Sequence, residues 1–503
     1  MARLLLIGID GLDWKVTRSL LDDMPVISKL LESGYGGPMK SIFPPDSIPS
    51  WISIFTGLDP SEHGILETID YFKKDAKSFS IDTEAFQGKT FWDRASLSGK
   101  SVLVVNPLMA FPSWKVNGIM ASGPVFISGK SGTCPPHIAD EFPLPPLGGI
   151  VDFPDKHELT EFYDKTCDET MEIVKFTSEL MNNNEWDLTF VTLLTMDRIC
   201  HFFWRYYDRD DPTWPGKNEH SDVIPAFHRF MDKCVGMLID AAGKDTTIMI
   251  VSDHGHAMRP PLLFNLNQLL MDNGLLKSRI SGPRLMSPRY HLEKMKNITL
   301  ETLHRFDLED IAYRFAHIFP WTRKLKKKDF MTSPDMNIAT ASGFGGTNPF
   351  GGIDISASRC KEEGLDYEET RDRVIRLLID LKDENDTKYF IWVRRREEMF
   401  KGPFIDRYPD ILYEMRPEFG TNWSVHLPLV TTNPRHRKIS GGHRNDAILI
   451  AGPLNGLEII EEEAKSINIS ASVSSILSFE GHVKNSGLSS SGPGSSFIRK
   501  VEE

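Results

Sequence analysis

The sequence predicts an α/β protein: a doubly wound, mostly parallel sheet with helices on both faces and one inserted helical cap. Three observations predict it. Short β-rich apolar runs alternate with longer amphipathic segments, the rhythm of repeated βαβ units. The first run, Leu4 to Ile9, is near-continuously apolar instead of alternating, as a strand buried on both faces must be. Asp10, Asp197 and Asp253 each stand just past such a run. A carboxylate there does nothing for a core, and the carboxyl ends of strands are where ligands gather in open α/β sheets.

In chain order, strands are expected at 3–9, 101–106, 187–195, 246–252, 388–394 and 446–451, and helices at 15–34, 157–182, 219–243 and 367–384. Residues 1–264 and 336–480 then form the catalytic domain. The stretch 265–335 breaks the rhythm, being helical, rich in aromatics and basic at Lys324, Lys326, Lys327 and Lys328. It reads as an inserted cap, and the lysines as a solvated helix end. The last 20 or so residues are Ser- and Gly-rich, from Ser486 to Ser496, and 481–503 reads as a disordered tail.

Composition narrows the function. A formal net charge of −12 over 503 residues repels nucleic-acid backbones, so duplex binding is not expected. An anionic small molecule remains a fit partner, because bound cations invert the local field. The five cysteines are dispersed, with no CxxC pair, which argues against a disulfide framework or a thiolate zinc site and for a reducing cytoplasm. The N-terminal apolar run is cut short by Asp10 and lacks a small-residue cleavage site, so it reads as a strand and not a leader. No run is long enough to span a bilayer.

Five motifs carry chemistry. Ser252-Asp253-His254-Gly255-His256 follows the run Thr247 to Val251, placing a carboxylate and an imidazole at one sheet edge, donors that zinc accepts together. Asp197 and His201, four apart after another run, share one face of a helical turn. Asp10 follows the first strand. In Pro44-Pro45-Asp46-Ser47-Ile48-Pro49-Ser50-Trp51, prolines restrict a loop, and Ser50 is placed to N-cap a helix running to Thr56. Such a loop holds the Ser47 hydroxyl towards an anion near a helix N-terminus. Ser47 has no neighbouring His base in sequence, and a metal ion is an alternative way to activate a hydroxyl. Gly441-Gly442-His443-Arg444 precedes the last strand. Each motif alone is more often structural than functional. The ordered set supplies nitrogen and oxygen ligands for two ions about 4 Å apart, clamping the attacking and leaving oxygens of an in-line displacement. His63 and His256 fall outside the set and read as structural. Trp204, three residues after His201, either walls the pocket or packs the core. Gly129-Lys130-Ser131 imitates the end of a P-loop, but the required earlier glycine falls at Pro124.

With these residues in this order, the chain resembles the alkaline phosphatase superfamily, in its type I phosphodiesterase/nucleotide pyrophosphatase branch, and within it a group described as predicted phosphohydrolases or phosphomutases. The likeness rests on Asp10, the proline-flanked Ser47, Thr56-Gly57, His63-Gly64-Ile65, Asp197 with His201, Asp253-His254 and His443. It extends to Asn265-Leu266-Asn267-Gln268-Leu269, Gly402-Pro403 and Pro409-Asp410, and so covers the chain to about residue 455. The resemblance implies an alkaline phosphatase-like fold and two divalent cations, zinc first and manganese as its rival. It implies that Asp197, His201 and His443 hold one ion and Asp10, Asp253 and His254 the other, with Ser47 bridging them. It also implies that Ser47 attacks phosphorus to form a phosphoserine, which water then releases. Two departures stand out. The branch commonly has Thr where this chain has Ser47. Its eukaryotic nucleotide pyrophosphatases carry a phosphate-contacting Asn three residues later, where this chain has Ser50, a shorter donor. Transfer to another acceptor, as in a mutase, and a metal-binding relative without turnover are the rival readings. A sulfatase is disfavoured because the loop lacks a CxPxR-type setting.

Overall fold

A computed structural model describes residues 2–66, 83–125, 129–148, 153–277, 302, 339–345, 348–422, 425, 427–479 and 495–501. Among them, nine strands form the central sheet: β1 (Arg3–Ile9), β2 (Tyr35–Lys40), β3 (Val102–Val105), β4 (Gly118–Ser122), β5 (Gly132–Cys134), β6 (Leu188–Leu193), β7 (Thr246–Val251), β8 (Asp446–Gly452) and β9 (Ala464–Lys465). Their spatial order is β9-β2-β8-β7-β1-β6-β3-β4-β5. The centre, from β7 to β4, is parallel, and β8 lies antiparallel between β2 and β7.

The helices that flank it are α1 (Pro25–Glu32), α2 (Ser47–Thr56), α3 (Phe91–Leu97), α4 (Leu159–Asn183), α5 (Thr195–Tyr207), α6 (Val223–Ala242) and α7 (Asn468–Ile476). The pleat of β1 shows why both faces need cover, since successive side chains point to opposite sides. Leu5, Ile7 and Ile9 enter a core built with α1, α4, α5 and α6. Leu4 and Leu6 enter another built with α2, α3 and α7. The doubly wound arrangement follows from an unbroken apolar run that only two helical layers can bury.

Several expected elements are corrected. The helix expected at 15–34 is interrupted: Trp14–Ser19 and α1 are separate, with a short 3-10 turn between them and Pro25 opening the second, as proline does at a first helical turn. The strand expected at 388–394 is real, as Phe390–Arg395, but lies outside the central sheet. It joins Ala341–Gly345, Phe350–Ile355 and Ile411–Met415 in a separate antiparallel sheet, with its own core around Phe264, Val374, Leu378 and Tyr413. Residues assigned from sequence to the catalytic domain at 336–480 therefore include a second β-layer. The helical cap expected at 265–335, with its lysines Lys324 to Lys328, lies outside the described residues beyond Lys277, apart from Thr302. The end of the expected disordered tail is a strand, Ile498–Lys500, paired with Leu457–Ile459. Phe497 is 1% exposed and packs against Tyr35; an apolar pair at a chain end finds the core despite its polar neighbours.

The second layer rests on the loop before α2. Tyr408 donates its hydroxyl hydrogen to the Phe43 carbonyl at 3.2 Å, Gly402 donates to Ser61 Oγ at 2.9 Å, and Phe43, Phe350, Phe400 and Tyr408 share an apolar cluster.

Candidate bimetallic active site

The topology brings scattered residues to one edge. β1, β6 and β7 are parallel, so Asp10, Asp197 and Asp253 leave their strands on the same side. β8 runs the other way, so its start lies at that edge too. The ribbon before it, Gly441–Arg444, pairs antiparallel with Gly255–Met258, setting His443 opposite His256. β2 opposes β8 and so ends at the same edge, where its loop delivers Ser47. Gly8 has a local part in this. A Cβ there would lie 2.5 Å from the Trp51 ring, and only a bare backbone lets that indole reach Asp10.

Two groups of ligand atoms result, each within 4.8 Å: Asp197, His201, His256 and His443 in one, and Asp10, Asp253 and His254 in the other. Asp197 Oδ1 stands 3.2 Å from His201 Nε2, 3.4 Å from His443 Nε2 and 3.5 Å from His256 Nε2. His254 Nε2 is 3.3 Å from Asp253 Oδ2, 3.7 Å from Asp10 Oδ1 and 4.0 Å from Asp197 Oδ1, so it marks the junction of the groups. Ser47 Oγ lies 3.1 Å from that nitrogen. Ser47 is the first residue of α2, with Asp46 at the N-cap, so the positive end of the helix faces its oxygen.

The outer contacts aim these atoms. His201 Nδ1 lies 2.9 Å from the Gly441 carbonyl, His443 Nδ1 3.2 Å from that of Pro45, and His254 Nδ1 3.1 Å from that of Gly255. Each ring therefore carries its hydrogen on Nδ1 and turns a lone pair on Nε2 inward, the arrangement typical of metal-binding imidazoles. Asp10 Oδ2 accepts from the Trp51 indole at 2.9 Å, and Asp253 Oδ1 from the Gly11 amide at 3.1 Å. The other carboxylate oxygens, Asp10 Oδ1, Asp253 Oδ2 and Asp197 Oδ1, have no hydrogen-bond partner among the described residues.

These residues fit divalent cations. The Nε2 lone pairs of His201 and His443 face each other at 3.1 Å, a repulsive contact between neutral rings unless positive charge sits between them. The separations of 3.2–3.5 Å from Asp197 Oδ1 to the three Nε2 atoms, and of 3.1 Å between His201 and His443 Nε2, match the edge of about 3.3 Å in a tetrahedron of ordinary zinc bonds. The electrostatics agree. Burial pushes the Asp253 carboxyl up to about 8, with Asp197 adding to the rise. Burial also raises Asp10, helped by Asp253 and Asp197 and opposed by Trp51. Asp197 feels the same burial, but His201, His443 and His256 outweigh it and hold the group low. Burial lowers His201 to about 4 and depresses His254 and His256. Two buried carboxylates and a partly buried one among mostly neutral imidazoles call for added positive charge.

Asp10, Ser47, Asp197, His201, Asp253, His254 and His443, all anticipated from sequence, thus converge. Ser50 and His256 depart from expectation. Ser50 does not N-cap α2; it sits inside the first turn, 0% exposed, with its hydroxyl 3.1 Å from Ser41 Oγ. That pairing holds the loop and leaves no hydroxyl for phosphate. His63 is buried and structural, its Nε2 3.0 Å from Ser53 Oγ and its Nδ1 accepting from the Ile65 amide. His256, read as structural, lies inside the ligand cluster. Trp204 donates to Asp208 and stacks on His256 at 6.3 Å between centroids, so it walls that ring. Trp51 was missed; its spacing of four from Ser47 along one helix was the available signal.

Fold and site together define an α/β protein whose central sheet gathers two groups of metal-ligating side chains at one edge. The chain belongs to the type I phosphodiesterase/nucleotide pyrophosphatase family, whose model matches residues 4–421. That match ends before His443, whose place in the site rests on the geometry. Among curated proteins, ectonucleotide pyrophosphatase/phosphodiesterase family member 1 of Homo sapiens is 26% identical over 264 residues, 50% of this chain and 23% of its own length. Its Mus musculus counterpart is 25% identical over 264 residues, 50% of this chain and 24% of its own length. The chain thus spans about a quarter of the length of these relatives. Among solved structures, human ectonucleotide pyrophosphatase/phosphodiesterase 5 aligns over 96% of both chains at 14% identity, with a TM-score of 0.49. An inactive murine form in complex with AMP aligns over 96% of this chain and 97% of its own, at 12% identity and a TM-score of 0.48.

Proposed function

We propose that this enzyme cleaves phosphodiester or pyrophosphate bonds of small molecules, nucleotides first among them, with Ser47 as nucleophile. Asp197, His201 and His443 would hold one divalent cation, and Asp10, Asp253 and His254 the other. Zinc suits these mixed nitrogen and oxygen donors best, and manganese is the alternative. When bound, the pair supplies positive charge to the attacking and leaving oxygens. Ser47 Oγ attacks phosphorus as its hydroxyl proton passes to solvent; the bond from phosphorus to the leaving oxygen breaks, the leaving group departs, and a phosphoserine remains. The N-terminus of α2 stabilises the oxygen during attack, and Trp51 and Gly11 hold the Asp10 and Asp253 carboxylates in place. Water then cleaves the phosphoserine. One observation carries this reading: Ser47 Oγ lies 3.1 Å from His254 Nε2, at the junction of the two ligand groups. A reducing, cytoplasmic location belongs to the same proposal, supported by five free thiols. Among the described residues no helix is long and apolar enough to cross a membrane.

Assays with bis-p-nitrophenyl phosphate and p-nitrophenyl phosphate test it. Ser47→Ala is expected to lower turnover by on the order of 10³-fold or more. Equal rates for variant and wild type overturn the mechanism. In ¹⁸O-labelled water the released phosphoryl group carries the label if the acceptor is water, and lacks it if the phosphoryl group passes to another acceptor.

A further inference from the structure

His256 sits where no structural duty explains it. Its side chain is 0% exposed, and neither ring nitrogen has a hydrogen-bond partner among the described residues. The other three imidazoles of the site each place Nδ1 against a carbonyl. A buried imidazole left without a partner destabilises a fold, so its retention needs a ligand to offset that cost.

The surroundings say which. His256 Nε2 lies 3.5 Å from Asp197 Oδ1, level with His443 and His201 around the same oxygen. Facing positions of an antiparallel pair put their side chains on one face, and His443 and His256 are such a pair. The ring is held edge-on to His201 at 4.8 Å and against Trp204 at 6.3 Å. Gly11 leaves the room it needs: with φ of +71°, a Cβ there would come within 2.8 Å of His256 Nδ1.

We infer that His256 is a fourth protein ligand of the cation held by Asp197, His201 and His443, and that this site is the tighter of the two. The inference rests on the metal-dependent reading above and deepens it. Three imidazoles and one carboxylate favour a borderline cation such as zinc or cobalt over magnesium or calcium, whereas Asp10, Asp253 and His254 present mainly oxygen. Zinc also expands to five ligands in catalytic sites, so a fourth protein ligand leaves a position for a substrate oxygen.

The full chain, stripped with chelator, is titrated with zinc against a chromophoric competitor, and separately with cobalt while its visible spectrum is recorded. Wild type is expected to bind two zinc ions, one at least about tenfold more tightly than the other. His256→Leu and His256→Gln are expected to keep both sites and weaken the tighter one by at least about tenfold, with an altered cobalt spectrum. Their metal-free forms are expected to unfold no more easily than metal-free wild type. Wild-type zinc affinity and an unchanged cobalt spectrum in the variants overturn the inference while leaving the bimetallic reading intact. Wild type that binds no divalent ion overturns that reading itself. X-ray absorption of wild type with one equivalent of zinc needs no variant: three imidazoles support the inference, and two or fewer overturn it.

Discussion

At the scale of single residues, the site is a set of side chains whose second contacts decide where their reactive atoms point. Asp10 shows this best. The Trp51 indole takes Oδ2 at 2.9 Å and leaves Oδ1 without a hydrogen-bond partner, facing His254. Trp51→Phe keeps the ring and removes the donor. It is expected to weaken the ion at Asp10, Asp253 and His254 by roughly 10- to 100-fold, as loss of outer-shell hydrogen bonds does. Chelator competition checks this, and an unchanged affinity would remove Trp51 from the site. The seven anticipated site residues were legible because each stood beside a strand end or a restricted loop. His256 was not, because nothing next to it in the chain distinguishes a ligand from a satisfied histidine. Its partner His443 is 187 residues away, and only the pairing of two short strands sets them face to face.

At the scale of elements, close approach between β1 and α2 holds Ser47 and Asp10 together. In Gly8→Ala the new methyl meets the Trp51 ring. Overpacking of this kind costs about 1–3 kcal/mol, so the urea midpoint is expected to fall and the Trp51–Asp10 contact to loosen. A midpoint equal to wild type would show that α2 shifts freely, against this account of the site. The chain end gives a second test. Phe497 packs against Tyr35 at the far side of the sheet from β5, so Phe497→Ala is expected to cost about 3–5 kcal/mol. A disordered tail would give no change. Composition misleads here because a Ser- and Gly-rich stretch says nothing of two apolar residues beyond it. The strand Phe390–Arg395 misleads for a related reason. A short apolar run has the same pattern in a parallel sheet as in an antiparallel one, and its partners are chosen by packing.

At the scale of the whole molecule, buried histidines tie stability to pH. His228, in α6, is lowered to about 4 by burial, and His63 to about 3. Both stay neutral in the fold but take up protons near pH 6.5 when unfolded. The unfolded chain then binds more protons between pH 6.5 and about 4, so the stability these groups contribute is complete above pH 6.5 and is lost as pH falls through that window. His228→Leu is expected to flatten the acid limb by up to about 1.4 kcal/mol per pH unit. Chemical denaturation of metal-free protein at several pH values checks it, and an unchanged slope would show that His228 protonates without unfolding. Cations should act on the same scale, since ligands that bind only the folded state raise the melting temperature by mass action. Chelator is therefore expected to lower it, and acid to release the ions as the imidazoles protonate.

Local chemistry, carried by adjacent residues, was enough to establish the layered α/β class and seven of the groups that meet at the site. An unbroken apolar run needs cover on two sides wherever it lies, and a carboxylate past a strand end faces outward whatever its neighbours. Long-range pairing decided the rest. The direction of β8, the separate sheet around Phe390–Arg395, the burial of Ser50 and the place of His256 beside Asp197, His201 and His443 all depend on contacts between distant segments. No stretch of sequence encodes such a contact alone, because its free energy exists only when both partners are folded together.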